Sequence, residues 1–289
     1  MSAQMRSSTT TRKMKAKTIL GDVFSNRLAG KFAAVVFVIL GLGMFSAARA
    51  QGRAAAGGAA AVTPKDNAAF DMTGYWVSIV DEDWRWRMLT PAKGDYISVP
   101  LNDAGLKVAE AWDPKKDEAD GNQCKAYGAG NIMRMPERLH ITWENASTMR
   151  MDIDAGTQSR LFHFDGSKWQ QGATPDWQGD SVATWEKRRG IKGGDLAVVT
   201  RHMRAGYLRK NGVPYSENMV LTEYYSRFEI DGQSYLTVTS VVEEPLYLRD
   251  RFITSGQFKL EPDGSKWNPT PCRPLWPRAP MAVAPKQYR

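Results

Sequence analysis

Residues Arg138 to Phe164 read RLHITWENASTMRMDIDAGTQSRLFHF. Apolar and polar residues alternate in three successive runs. Leu139, Ile141 and Trp143 fall on one side of the first run, and Arg138, His140, Thr142 and Glu144 on the other. Met149, Met151 and Ile153 oppose Arg150, Asp152 and Asp154 in the second. A period of two is that of an extended strand with two unlike faces. Asn145-Ala146-Ser147 and Asp154-Ala155-Gly156 supply tight turns between the runs. The stretch is therefore an antiparallel meander, and it places the chain in the all-β class. Counting outward gives nine or ten strands. A closed antiparallel up-and-down barrel leaves no sheet edge and is expected over an open sandwich, with one short helix and long loops.

The flanking sequence fills in that plan. Asp81 to Arg87 (DEDWRWR) alternates and predicts an extended run with Trp84 and Trp86 on one face. Asn102 to Trp112 carries the helix: Asn102 or Asp103 can cap it, and Leu106, Val108, Ala109 and Trp112 approximate a stripe. Trp177 to Trp185 returns to a strand, as does Leu196 to Arg204. Ala205 to Glu217 (AGYLRKNGVPYSE) reads as a long polar loop, a lid or rim. Met219–Ile230, Tyr235–Glu243 and Arg251–Leu260 are three more strands, with Asp231-Gly232 as a hairpin turn. Asp-Gly-Ser-Lys-Trp occurs at 165–169 and 263–267. It is read as turn chemistry used twice, with each Trp packing back on the sheet.

The first 50 residues read as an export signal. A basic run from Arg6 to Lys31 precedes the 14-residue apolar stretch Phe32–Phe45, and Ala48-Arg49-Ala50 offers small residues for cleavage. Fourteen residues fall short of the roughly 20 that span a bilayer, so a periplasmic or secreted protein without stable membrane insertion is expected. The layout that follows is a signal over 1–50, a flexible Ala/Gly-rich leader over 51–68, one barrel domain over 69–275 and a loose Pro-rich tail over 276–289. Export changes the charge argument. The whole chain holds 39 Lys+Arg and 31 Asp+Glu, but residues 1–50 account for eight of the bases and one of the acids. The remaining 31 against 30 gives no basis for binding nucleic acid. Cys124 and Cys272 are the two cysteines. In an exported chain they are expected to pair, against the alternative of two buried thiols.

Gly74-Tyr75-Trp76 opens the first strand and resembles the first-strand Gly-x-Trp signature of the lipocalin (calycin) group. The resemblance implies a barrel with this Trp across its closed end and a small, mostly apolar molecule in its open end. Asp83–Met88 and Tyr127-Gly128-Ala129 resemble runs in exported bacterial proteins to which no activity is attached.

All ten Trp lie after residue 70. They imply a thick aromatic core or an aromatic-lined cavity, and a small hydrophobic or aromatic ligand is the expected partner. Trp84, Trp86 and Trp143, with Arg150, Glu223 and Tyr225, are the ligand-binding candidates. The rival reading is a cofactor-independent acid–base enzyme, a lyase, isomerase or hydratase, in the same barrel. It would use His140, Asp152, Asp154, Arg160 and His202, with an Asp as base, an Arg as clamp and a His as partner acid. Its site requires the polar strand face to line the lumen; the plainer alternative is a solvated outer face with cross-strand ion pairs. The histidines His140, His163 and His202 lack ligand spacing, and no metal or cofactor is expected. No Gly-x-Ser-x-Gly elbow, phosphate-binding Gly loop, His-Glu-x-x-His or Cys-x-x-Cys-His occurs, which disfavours nucleotide, serine-hydrolase and haem chemistry.

Overall fold

The computed structural model describes residues 61–166, 174–187, 190 and 193–277. The expected signal peptide and the Ser167–Trp169 end of the first repeated turn lie outside these residues. In chain order the strands are β1 (Gly74–Ile79), β2 (Arg138–Trp143), β3 (Thr148–Ile153), β4 (Ala155–Gly156), β5 (Gln158–His163), β6 (Asp180–Glu186), β7 (Asp195–Arg201), β8 (Gly206–Arg209), β9 (Val213–Tyr215), β10 (Val220–Ile230), β11 (Gln233–Glu243), β12 (Phe252–Glu261) and β13 (Thr270–Pro271). The helices are α1 (Trp84–Arg87), α2 (Asp103–Glu110), α3 (Pro114–Ala119) and α4 (Ala129–Ile132).

Nine strands close into a barrel in the order β1-β12-β11-β10-β7-β6-β5-β3-β2. The meander of residues 138–163 is its β2-β3-β5 wall, with His140 opposite Asp152 and Asp152 opposite Ser159. An odd number of strands cannot alternate direction all the way round a ring. One neighbouring pair must run the same way, and it is β5–β6, with Phe162 beside Ser181 and His163 beside Val182. The all-antiparallel expectation is corrected at this one seam. Asp231 and Gly232 both take positive φ, 50° and 75°, in the two-residue turn that joins the long β10–β11 hairpin.

Alternation decides what the barrel contains. Trp76, Leu139, Ile141, Met149, Met151, Phe162, Leu196, Val198, Leu236 and Phe258 are buried inside and form one apolar cluster. The lumen is packed with side chains, as in small barrels. Trp76 is fully buried, and its indole N–H donates to Met72 O at 3.0 Å.

One end of the barrel carries a cap built from residues 80–137, 203–219 and 244–251. The Asp81–Arg87 run is not extended: Trp86 N and Arg87 N both donate to Asp83 O, and Met88 N donates to Trp84 O. This single helical turn separates the two tryptophans, leaving Trp84 exposed and Trp86 half-buried while it drives Arg87 inward. Three-residue spacing wins here because Arg87 gains buried carbonyl partners at Arg134 and Ile79. Helix α2 starts where predicted, with Gly105 N donating to the Asn102 side chain at 2.9 Å. Its packing face is Gly105, Ala109 and Trp112, whereas Leu106 and Val108 are on the outside.

The expected polar loop after residue 205 is instead the β8–β9 hairpin, and residues 208–216 are all buried. Its polar side chains satisfy the carbonyls of the irregular segment above it. Arg209 donates to Ile97 O, Lys210 to Arg87 O, and Asn211 to Ala92 O and Asp95 O. Composition alone reads such a stretch as exposed. Here the polar atoms are the partners that loop backbone needs once it is buried.

Cys124 and Cys272 form a disulfide, with Cα atoms 5.2 Å apart. It joins the cap to the segment that carries β13, which pairs with β4. At the other barrel end, residues 64–71 of the predicted leader and domain start lie against the strands. Trp185 donates to Pro64 O, Lys65 N to Ala146 O, and Arg227 to Asp71 O.

Candidate functional site

The inward face near the cap holds a polar centre. Strand phase supplies each member: Arg160 alternates with Phe162 on β5, Glu223 with Leu221 and Tyr225 on β10, and Thr200 with Val198 on β7. Arg160 donates to Glu223 through both terminal nitrogens, at 3.2 and 2.5 Å, and also reaches Thr200 Oγ1 and Tyr225 OH. Ser181 and Thr200 hydroxyls meet at 2.8 Å. Burial by itself would lower the Arg160 pKa, but the Glu223 carboxylate outweighs it and holds the guanidinium above its ordinary value. Burial raises Tyr225, and Glu223 adds to the rise.

Two further buried groups adjoin this network, and sequence reasoning missed both. Glu137, just before β2, has both carboxylate oxygens without a hydrogen-bond partner. Burial pushes its carboxyl well above the ordinary carboxylate range. Asp154 pushes the same way, while Arg87 and Arg160 partly offset the rise. Arg87 on α1 is 1% exposed and has one terminal nitrogen unpartnered. The signal for Glu137 was available: it is in phase with Leu139 and Ile141. Arg87 had no such signal, because α1 breaks the alternation.

The opposite end carries an aromatic row. Ring centroids of Trp143 and Phe164 lie 5.3 Å apart, Phe164 and Trp185 5.6 Å, and Trp185 and Phe70 5.2 Å. An open groove of about 520 Å³ runs beside it, with Phe70 and Trp143 on its walls and Lys65, Asp66, Asp71 and Thr142 around them. This volume suits a small organic molecule.

The predicted site residues separate into distinct places. Arg160, Glu223 and Tyr225 come together inside the barrel. Asp154 is buried nearby, accepting from Arg138 N at 2.7 Å and pairing with the Arg138 guanidinium at 3.6 Å. Asp152 and Arg150 pair at 2.8 Å on the outer face, with Ser159 bonded to both. His140 is also outside, stacked on Tyr75 at 4.1 Å and edged by Trp267. That packing is the back-contact expected of the Asp263–Trp267 turn. His202 takes a positive φ of 60° and meets Asp180 at 3.0 Å on the rim. Trp84 and Trp86 belong to the cap, where Trp86 stacks under Arg209 at 4.8 Å. The proposed acid–base set therefore has only Arg160 and Asp154 indoors. Among the described residues, no three His, Cys, Asp or Glu side chains gather as a metal site, and no helix is long and apolar enough to cross a membrane.

Comparison with known proteins is silent: no protein-family model, curated protein or solved structure matches the chain.

Proposed function

We propose that this is an exported binding protein for a small aromatic molecule, held in the groove at the barrel end opposite the cap. The groove between Phe70 and Trp143, continued by the Phe164 and Trp185 rings, carries the reading. It supplies flat apolar walls with Lys65, Asp66 and Asp71 at hand for one polar substituent. The packing of the lumen supports this end over the barrel interior, where the lipocalin resemblance would put a ligand. Aromatic stacking contributes about 0.5–1.5 kcal/mol per ring pair beyond area burial.

The test is saturation binding of a neutral naphthalene-type fluorophore. Saturable binding is expected, weakened about tenfold or more by Trp143→Ala or Phe70→Ala. Circular dichroism establishes that each variant is folded. Absence of saturable binding by the folded wild-type protein, or equal affinity in both variants, overturns the reading.

A further inference from the structure

The groove leaves the polar centre at the far end of β2 unused. Three groups there are at least nine-tenths buried and retain unpartnered polar atoms: one terminal nitrogen of Arg87, Nε of Arg160 and both oxygens of Glu137. Buried polar atoms are ordinarily bonded, because an orphan costs about 1–3 kcal/mol. Both guanidinium groups act electrostatically on the Glu137 carboxyl, yet neither forms an ion pair with it. Glu223 is already engaged by Arg160, and Asp154 by Arg138. Arg87 has acidic neighbours in Glu82, Glu137 and Asp81, but its nearest ion pair is a long one, to Glu82 at 4.0 Å. Lys210 adds a further buried cation whose bond goes to the Arg87 carbonyl.

We propose that this centre binds a small carboxylate of one or two carbons, such as formate or acetate. The guanidinium N–H groups left over by Arg87 and Arg160 donate to its oxygens, and the Glu137 hydroxyl donates as a neutral acid. Each guanidinium has one nitrogen to offer, and charge-assisted bonds are about twice as strong as neutral ones. Ile141, Met151 and Phe258 belong to the apolar cluster that packs the lumen, which restricts the ligand to a small one. Helix α1 roofs the site, so exchange requires the cap to shift and association is slow.

The protonation state of Glu137 gives the proposal its signature. The groups that face it are Arg87 from α1, Arg160 from β5, Glu223 from β10 and Asp154 from the turn after β3. Burial raises its carboxyl pKa well above the ordinary carboxylate range, so the donor is present at any pH below that raised value. When Glu137 ionises, a donor becomes a like charge and the bound carboxylate is expelled.

The experiment titrates the purified protein with sodium acetate, reading heat and thermal midpoint from pH 5.5 to 9, with sodium chloride and sodium benzoate as controls. Expected is saturable stabilisation by acetate but not by chloride or benzoate, with affinity falling about tenfold or more as pH rises. Glu137→Gln keeps a neutral donor of the same shape. It is expected to hold acetate within about threefold and to lose most of the pH dependence. Arg87→Met should lose acetate stabilisation; if that variant does not fold, Glu137→Gln alone decides. Folded wild-type protein with no saturable acetate effect means that buried waters alone satisfy these atoms, and the proposal falls. It also falls if Glu137→Gln follows the wild-type pH profile. The neutral fluorophore binds or fails at the other end independently of either result.

Discussion

Arg160 and Glu223, 63 residues apart in the chain, lie side by side inside the barrel with neither side chain exposed to solvent. The contact crosses the lumen from β5 to β10, two strands that are not neighbours in the sheet. An ion pair so placed has lost its hydration on both sides, and only the paired geometry compensates.

Removing one partner should therefore cost more than removing both. Arg160→Met leaves an unpaired carboxylate and is expected to destabilise the fold by about 3–5 kcal/mol in urea denaturation. Arg160→Met combined with Glu223→Met should regain most of that loss. Equal losses in the single and double variants would show that the pair itself stabilises, and that uncompensated charge is not the cause.

Glu137 sets the sign of one pH effect. Its folded pKa is raised above the unfolded value, so the folded state binds the extra proton between the two. Its contribution is fully present below the ordinary carboxylate range and is lost as pH rises through the raised value. The stability difference between Glu137→Gln and wild type should accordingly grow with pH in favour of the variant. A difference that is flat from pH 5 to 8 would refute this. Lys210 acts oppositely: burial, with Arg87 adding to it, lowers its pKa to about 8, so its contribution is lost as pH falls through that value.

Reduction of Cys124–Cys272 should be felt strongly. The bond spans 148 residues, and closing so long a loop restricts the unfolded chain by about 5 kcal/mol in the chain-entropy treatment. The Cys124→Ala/Cys272→Ala double variant is expected to lose roughly 2–5 kcal/mol. Protection from proteolysis should drop first in the β13 segment, which the bond fastens beside β4. A variant with wild-type stability would mean that β13–β4 pairing and cap packing suffice alone.

Gly212 sits at φ 82° in the buried β8–β9 turn, and an added Cβ would approach Trp112 Cγ to 2.2 Å. Gly212→Ala combines overpacking with an unfavourable backbone and is expected to cost about 2–4 kcal/mol. Gly232 has a similar φ of 75° but open space around it. Gly232→Ala should cost only the backbone share, about 1–2 kcal/mol. Thermal midpoints of the two variants separate steric from conformational cost.

The sequence by itself determined the strands and their two faces. Periodicity is a property of neighbouring residues, so the 138–164 meander, the shared face of Met149, Met151 and Ile153, the Asp231-Gly232 turn and the Asn102 cap were all readable, while which face lines the lumen was not. From sequence alone Arg160 is set on one polar face with Asp152 and Arg150, and the structure separates them. Arg160 goes in with Phe162, while Asp152 goes out with Arg150. Only the tertiary structure decided which inward residues meet. Arg160, Thr200 and Glu223 converge because ring closure and register bring three distant strands round one lumen, and no local pattern encodes that. It likewise decided that the polar run 208–216 is buried, since its hydrogen-bonding groups serve the carbonyls of residues 87–97. The parallel seam at β5–β6 follows from the number of strands that close the ring, and Arg87 enters the core through a helical turn where local alternation favoured a strand. In each case the long-range contact outweighed a local preference worth less than the burial it would have prevented.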